Sequence, residues 1–129
     1  MSQQQLQILQ NHLQTRLATA QANLTGTDAQ GNLLCSVEHS AFFEPVRLKI
    51  RQDAIEIVSI FVRRKERKKG NARALCNAVV DAAREMNKQK VCVEKVADEE
   101  DSTRPIIAFW TAVGFVSRTP DGRSADLRI

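Results

Sequence analysis

An apolar segment that ends abruptly at a basic loop constrains this sequence more than any other feature. Residues 55–62 are almost wholly apolar and rich in β-branched side chains, and they are too few for a typical helix. We therefore predict a β-strand there. A strongly basic stretch follows, then Gly70, and an amphipathic helical pattern begins at Ala72. Because the first N–H groups of a helix lack partners and carry the positive end of its dipole, this order predicts an anion-binding site.

The positive charge of the chain is concentrated on that loop. The net charge is +4, but residues 63–73 contain seven basic side chains and one acidic one, so the rest of the chain sums to −2. Charge focused on one loop suits a compact anion such as a pair of phosphates. Two alternatives stay open, a solvated basic turn and a module that binds nucleic acid through residues 63–73. This segment has no aromatic side chain for base stacking, so nucleic acid is the less favoured partner.

Length and composition indicate one globular domain over residues 1–129. The chain is 43% hydrophobic and 26% charged, which are ordinary globular values. It has no apolar stretch of membrane-spanning length, and its Gln-rich start is unlike a signal peptide, so we expect a cytoplasmic protein without a membrane partner. The three cysteines, Cys35, Cys76 and Cys92, are odd in number and widely spaced. We expect buried thiols rather than a metal site or disulfides.

Hydrophobic periodicity predicts a mixed α/β chain. Apolar residues every three or four positions predict a helix over residues 3–24, followed by a loop. Three strands with short links predict an antiparallel meander, and a helix between two strands implies one parallel pair. The elements predicted after the first helix are strands 33–39, 42–51 and 55–62, helix 72–87, strand 90–96, a helix from about 103 to 112, and strands 115–117 and 125–129.

Two motifs lie on these predicted elements in a familiar order. The loop Arg67-Lys68-Lys69-Gly70-Asn71-Ala72 fits the pattern Arg/Gln-x-x-Gly-x-Gly/Ala, and residues 108–115 read Ala-Phe-Trp-Thr-Ala-Val-Gly-Phe. The first resembles the acyl-CoA pyrophosphate loop of the GNAT superfamily of N-acetyltransferases, and the second resembles that superfamily's C-terminal signature. The resemblance covers residues 33–129. The family's usual first strand and one of its two early helices have no counterpart in the pattern, which implies a small member with a trimmed N-terminal part.

The resemblance implies a fold and a cofactor site. The fold would be a mixed, mainly antiparallel sheet with one parallel, splayed strand pair and flanking helices. Acetyl-CoA, as co-substrate, would lie in the opening of the splayed pair, with its pantetheine along the strand end and its pyrophosphate on the loop. No metal is implied. The implied cofactor-binding residues are Ile60, Phe61, Val62, Arg67, Lys68, Lys69, Gly70, Asn71, Ala72, Arg73 and Trp110.

Glu56 is the candidate catalytic residue. It interrupts an otherwise apolar strand eleven positions before Arg67. In the histone-acetyltransferase-like branch of the family, a glutamate general base stands at matching spacing, and an amine acceptor needs such a base because it is an ammonium near neutral pH. The alternative is a glutamate on an exposed sheet face that pairs with Lys49 or Arg47 across the strand. His39 is a second candidate base, although a lone histidine near a strand end is more often structural.

The second motif departs from the family at one position. Many members have a tyrosine that protonates the leaving thiolate, whereas this chain has no tyrosine and Trp110 fills that place. Indole is not a proton-transfer acid at neutral pH. We therefore expect either the glutamate-base chemistry or a catalytically silent domain that binds acyl-CoA. The acidic run 98–101 is expected to attract a cationic acceptor, either a small molecule or a protein lysine, or to be a solvated loop. The oligomeric state stays open, a homodimer included.

Overall fold

The computed structural model describes residues 2–66, 69–93, 114–117 and 125–128. It opens with a helix, continues through four strands to a short 3-10 turn and a second helix, and ends in three further strands. The elements are α1 Ser2–Arg16, β1 Gln21–Thr27, β2 Leu33–Glu38, β3 Val46–Ile50, β4 Ala54–Ser59, the 3-10 turn Arg64–Glu66, α2 Asn71–Glu85, β5 Lys90–Val93, β6 Val116–Ser117 and β7 Ala125–Arg128.

Within the described residues, seven strands form one sheet in the order β1-β2-β3-β4-β5-β7-β6. β4 and β5 run parallel, with α2 as the crossover between them, and the other neighbouring described strands run antiparallel. The predicted fold class is therefore confirmed, a mixed and mainly antiparallel sheet with one parallel pair. The long crossover is what a parallel pair requires, since two parallel strands cannot be joined by a tight hairpin.

Alternation along the strands separates an apolar face of the sheet from a polar one. In β3, Val46, Leu48 and Ile50 are buried, whereas Arg47 is exposed and Lys49 is half-buried. The buried set continues into neighbouring strands, because paired residues point to the same side of a sheet. The two helices pack on this apolar face and close one continuous hydrophobic core.

Polar pairs along the outer side join the two helices. The Arg16 guanidinium donates to Asp81 Oδ2 from Nε at 3.0 Å and from Nη2 at 2.7 Å, and His12 Nε2 lies 2.8 Å from Glu85 Oε1. The buried contact between the helices supplies most of the stabilisation, since exposed ion pairs each contribute only about 0–1 kcal/mol. His12 and Arg16 thus lie on the polar side of the first helix, where they connect it to α2.

The prediction of a helix over residues 3–24 is wrong at its C-terminal end. The helix ends at Arg16, and Gln21–Thr27 form β1, paired with β2. The Gln10 side chain fixes the change of direction, since its Nε2 donates to the Ala20 carbonyl at 3.0 Å and its Oε1 accepts from the Ala22 N–H at 2.6 Å. Pairing with β2 satisfies the backbone groups of this segment, so tertiary context overrides the leucine spacing.

Two predicted strands are longer than the observed ones. The strand predicted over 42–51 is β3, which begins only at Val46, because Pro45 before it has no N–H for a ladder. The strand predicted over 55–62 is β4, which ends at Ser59, and beyond it Phe42 and Val62 form an isolated bridge. The ends of the other elements fall within two residues of prediction, apart from residues 94–113, which lie outside the described part of the chain.

The second helix ends in a specific backbone arrangement. Asn87 has a left-handed φ of 61°, the Lys88 N–H donates to the Ala83 carbonyl at 2.9 Å, and the Asn87 N–H donates to the Arg84 carbonyl at 3.1 Å. This is a Schellman motif with asparagine in the position that glycine usually occupies.

Neither described helix is long and apolar enough to cross a membrane.

Candidate active site

The backbone that follows β4 is paired on one side with residues 41–43. The Phe61 carbonyl accepts a hydrogen bond from the Phe43 N–H at 2.7 Å, and the Arg63 N–H donates to the Ala41 carbonyl at 2.8 Å. Because alternate residues of an extended chain point their N–H and C=O groups to opposite edges, those of Val62 point away from residues 41–43. Among the described residues they have no backbone partner. The described pairing of β4 with β5 ends earlier, at Ile57 and Val93.

A β-bulge changes the direction of β4 immediately before this edge. Lys49 pairs with Glu56 and Leu48 with Ile57, but Arg47 pairs with Ser59. Val58 is therefore the extra residue of the bulge. Such a bulge bends its strand and disrupts the regular ladder with β3. Ile60 is buried, and Phe61 and Val62 are half-buried.

The first turn of α2 forms the second part of the candidate site. Its N-cap is Gly70, with a left-handed φ of 85° and no side-chain cap, and the turn contains no acidic residue. The first helical hydrogen bond runs from the Ala74 N–H to the Gly70 carbonyl at 2.9 Å, so the N–H groups of Asn71, Ala72 and Arg73 have no partner within the helix. A Cβ built on Gly70 meets no atom within 4 Å, so the space beside it is open.

The charges around this helix start favour an anion. Arg73 is exposed beside the first turn, and Lys69 lies directly before Gly70 with its Nζ 3.5 Å from Glu66 Oε2. The Lys69 side chain keeps 59% of its surface exposed and so can move toward a ligand. A helix dipole, partnerless N–H groups and flanking cations together make a phosphate-binding arrangement.

Glu56 is the only polar or charged residue in the described part of the chain that counts as buried. Its Oε1 lies 3.5 Å from Arg51 Nη1, and its side chain is 11% exposed. The same Arg51 nitrogen donates to Cys92 Sγ at 3.8 Å. Burial lowers the pKa of Arg51, but neighbouring Cys92, Asp53 and Glu56 raise it more, so the pKa stays above its usual value. The carboxylate thus lies in a shielded position beside a permanent cation.

The alternative interpretation of Glu56, an exposed residue paired with Lys49 or Arg47, is wrong. Lys49 does lie opposite Glu56 in the ladder, but its Nζ bonds to Asp28 Oδ2 at 3.3 Å. Arg51 is the cation that approaches Glu56, from the β3–β4 turn. The position of Glu56 is therefore compatible with a catalytic base, and the structure adds Arg51 as its neighbour.

The contacts of His39 and of the cysteine thiols indicate structural roles. His39 Nδ1 accepts a hydrogen bond from the Ala41 N–H at 3.1 Å, and its ring meets Phe42 edge-on at 5.8 Å between centroids. These contacts hold the loop before β3 and give no sign of a base.

Cys35, Cys76 and Cys92 are all buried, as predicted. Burial raises the pKa of the Cys35 thiol to about 11 and also raises that of Cys76, so neither is a nucleophile near neutral pH.

Several predicted site residues lie outside the described part of the chain, namely Arg67, Lys68, Trp110 and the acidic run 98–101. The remaining ones fall into two groups. Ile60, Phe61 and Val62 follow the bulge, and Lys69 to Arg73 surround the start of α2. Sequence reasoning missed Arg51 as the neighbour of Glu56. It could have been found, because a tight turn at residues 52–53 places position 51 beside the next strand.

Comparison with known proteins agrees with this geometry. A model of the Acetyltransferase (GNAT) family matches residues 16–115, which is most of the chain. The chain belongs to the GNAT acetyltransferase family. A comparison with curated protein sequences found no match.

Solved structures of acetyltransferases share the fold of this GNAT chain. Nourseothricin acetyltransferase superposes with a TM-score of 0.55 at 18% identity, over 75% of this chain and 65% of its own. This chain thus spans about two thirds of the length of that protein. A candidate acetyltransferase from Agrobacterium tumefaciens superposes with a TM-score of 0.51 at 12% identity, over 100% of this chain and 93% of its own. At such identities the likeness concerns the fold.

Proposed function

We propose that this GNAT protein transfers an acetyl group from acetyl-CoA to an amine. One observation supports the proposal: a short loop connects the Val62 edge, which has no backbone partner among the described residues, to the uncapped, cationic first turn of α2. The amides of a pantetheine arm would hydrogen-bond to the backbone at Val62, and a negatively charged pyrophosphate would bind to the first turn of α2. No described cluster of ligating side chains would hold a metal, and the proposal uses none.

The residues of the chain would act on the acceptor in a single ternary complex. Glu56, directly or through a water molecule, would take a proton from the ammonium of the acceptor. The amine nitrogen then bonds to the acyl carbon and loses its second proton to solvent, the carbon–sulfur bond breaks, and CoA leaves as a thiolate that gains a proton from solvent. A backbone N–H near Phe61 or Val62 would stabilise the charge on the carbonyl oxygen.

The test of this proposal combines binding with transfer. Calorimetric titration with acetyl-CoA should show one site per chain, and release of CoA should be measured with spermidine, a lysine-containing peptide and an aminoglycoside. With the amine that reacts, Glu56→Gln should lower transfer at pH 7 by about 100-fold or more, the usual contribution of a positioned base. Glu38→Gln is the matched control, since Glu38 is exposed at the end of β2.

Other outcomes would identify a different function. If Glu56→Gln and the wild type have equal rates at all pH values, Glu56 has no role as a base. Acetyl-CoA binding without transfer to any amine would indicate a silent acyl-CoA-binding domain. Thermal stabilisation by DNA alone, lost steeply with added salt, would favour a nucleic-acid partner for the basic loop.

A further inference from the structure

Ser59, the last residue of β4, has a buried hydroxyl whose role the fold alone does not explain. Its Oγ is shielded from solvent and has no hydrogen-bond partner among the described residues. Buried polar side-chain atoms almost always have a partner, and one without is often explained by function. The neighbouring residues 60–62 form the proposed cofactor edge, so Ser59 lies where a ligand would supply the missing partner.

The bulge at Val58 gives Ser59 its orientation. In a regular strand, residues 56 and 59 point to opposite faces, because their separation is odd. Here Glu56 is opposite Lys49 and Ser59 is opposite Arg47, and these two β3 residues share the polar face of the sheet. The extra residue therefore brings Ser59 onto the same face as Glu56. A carboxylate and a hydroxyl without a partner then follow each other along β4 on one face.

A primary amine carries enough N–H donors to contact both of these groups. Three residues of extended chain span at most about 10 Å, and the bulge shortens this distance. A primary ammonium has three N–H donors, so it can donate to the carboxylate and the hydroxyl at once. Arg47, across from Ser59, is exposed and extends into water, where its charge is screened.

We propose that Ser59 Oγ accepts a hydrogen bond from the acceptor amine and holds it between Glu56 and the cofactor edge. This inference rests on the proposed N-acetyltransferase function. It makes Ser59 a substrate-binding residue that orients the nucleophile, while Glu56 handles the proton. Loss of the hydroxyl should therefore weaken use of the amine without affecting acetyl-CoA.

The test compares Ser59→Ala, Ser59→Thr and a matched control, Ser36→Ala. Ser36 pairs with Arg47 from the opposite side, on β2, and is half-buried on the same face of the sheet, two strands from the cofactor edge. With the reacting amine, Ser59→Ala should lower kcat/KM for the amine by about 10- to 100-fold, as expected for a hydrogen bond to a charged group. Calorimetric affinity for acetyl-CoA should change less than about twofold, Ser59→Thr should retain most activity, and Ser36→Ala should behave as wild type.

The possible results separate this inference from the proposed function. If the wild type transfers acetyl to an amine and Ser59→Ala has the same kcat/KM, the inference is wrong and the function stands. If Ser59→Ala and Ser36→Ala lose activity equally, the loss reflects the sheet and the inference is also wrong. If no amine reacts and none binds to the CoA-loaded wild type in calorimetry, the function and the inference fall together.

Discussion

Gly70 offers a sharp test of the cofactor site, because another glycine of the fold, Gly31, has a nearly identical φ. Gly70 has φ +85°, Gly31 in the β1–β2 turn has φ +83°, and a Cβ built on either meets no atom within 4 Å. Gly70→Val and Gly31→Val should therefore cost similar conformational energy, about 1–2 kcal/mol for a left-handed L-residue. For a chain of this size that corresponds to roughly 3–8 °C in Tm for each.

The two variants should differ in their affinity for acetyl-CoA. At Gly70 the added side chain occupies the open space through which the N–H groups of the first helical turn would reach a pyrophosphate. Losing one charge-assisted hydrogen bond there should weaken acetyl-CoA binding about 10- to 100-fold, while Gly31→Val should bind as wild type. Calorimetric titration and thermal melts of both variants measure this. Equal acetyl-CoA affinity in the two folded variants would mean that the start of α2 does not bind the cofactor.

Two further predictions concern charged groups of the polar face. Arg51→Gln leaves the shielded Glu56 carboxylate without its cation and should lower the free energy of unfolding by about 1–2 kcal/mol. The effect is limited because the arginine is half-exposed. In urea melts, the control Arg47→Gln should be unchanged, and the double variant Arg51→Gln/Glu56→Gln should lose less stability than the sum of the two single variants. Hydrogen bonds from Asn32, Lys49 and the Gln30 N–H outweigh burial and lower the pKa of Asp28 from 3.8 to about 2, so its contribution to stability is complete above pH 4 and disappears as the pH falls toward 2. Acid melts of Asp28→Asn should lack this part of the wild-type pH dependence, and an identical acid profile would show that the carboxylate is not involved.

Local patterns predicted those parts of the fold in which neighbouring residues decide the structure. The start of α2 follows from an apolar strand, a basic loop and Gly70, all within one short segment. The end of the first helix did not follow from its pattern, because the leucine spacing continues to Leu24 while the backbone turns at residues 17–19. That turn depends on Gln10 and on pairing with β2, which are contacts that periodicity does not contain.

In the candidate site, too, local sequence predicted some features and distant contacts decided the others. Glu56 stands out in the sequence because a charge interrupts an apolar strand, and it is buried as a base would be. Its partner could not be read from strand alternation, which favoured Lys49, because Asp28 from a distant turn bonds to that lysine. The orientation of Ser59 depends on the bulge, and a bulge is a property of two strands in register rather than of either one.

The long crossover between β4 and β5 has a consequence for how the site assembles. β1 to β4 are joined by short links and pair with sequence neighbours, whereas Ala54 pairs with Lys90 across the whole of α2. Closing that larger loop costs more chain entropy, and its contacts form only when α2 has docked. We therefore expect β1 to β4, with Glu56 and Ser59 on their polar face, to pair early in folding, and β5 to join them later. Native-state opening should therefore separate β5 from β4 before it disrupts the meander of β1 to β4, so the space beside Ser59 can widen while β4 stays paired with β3.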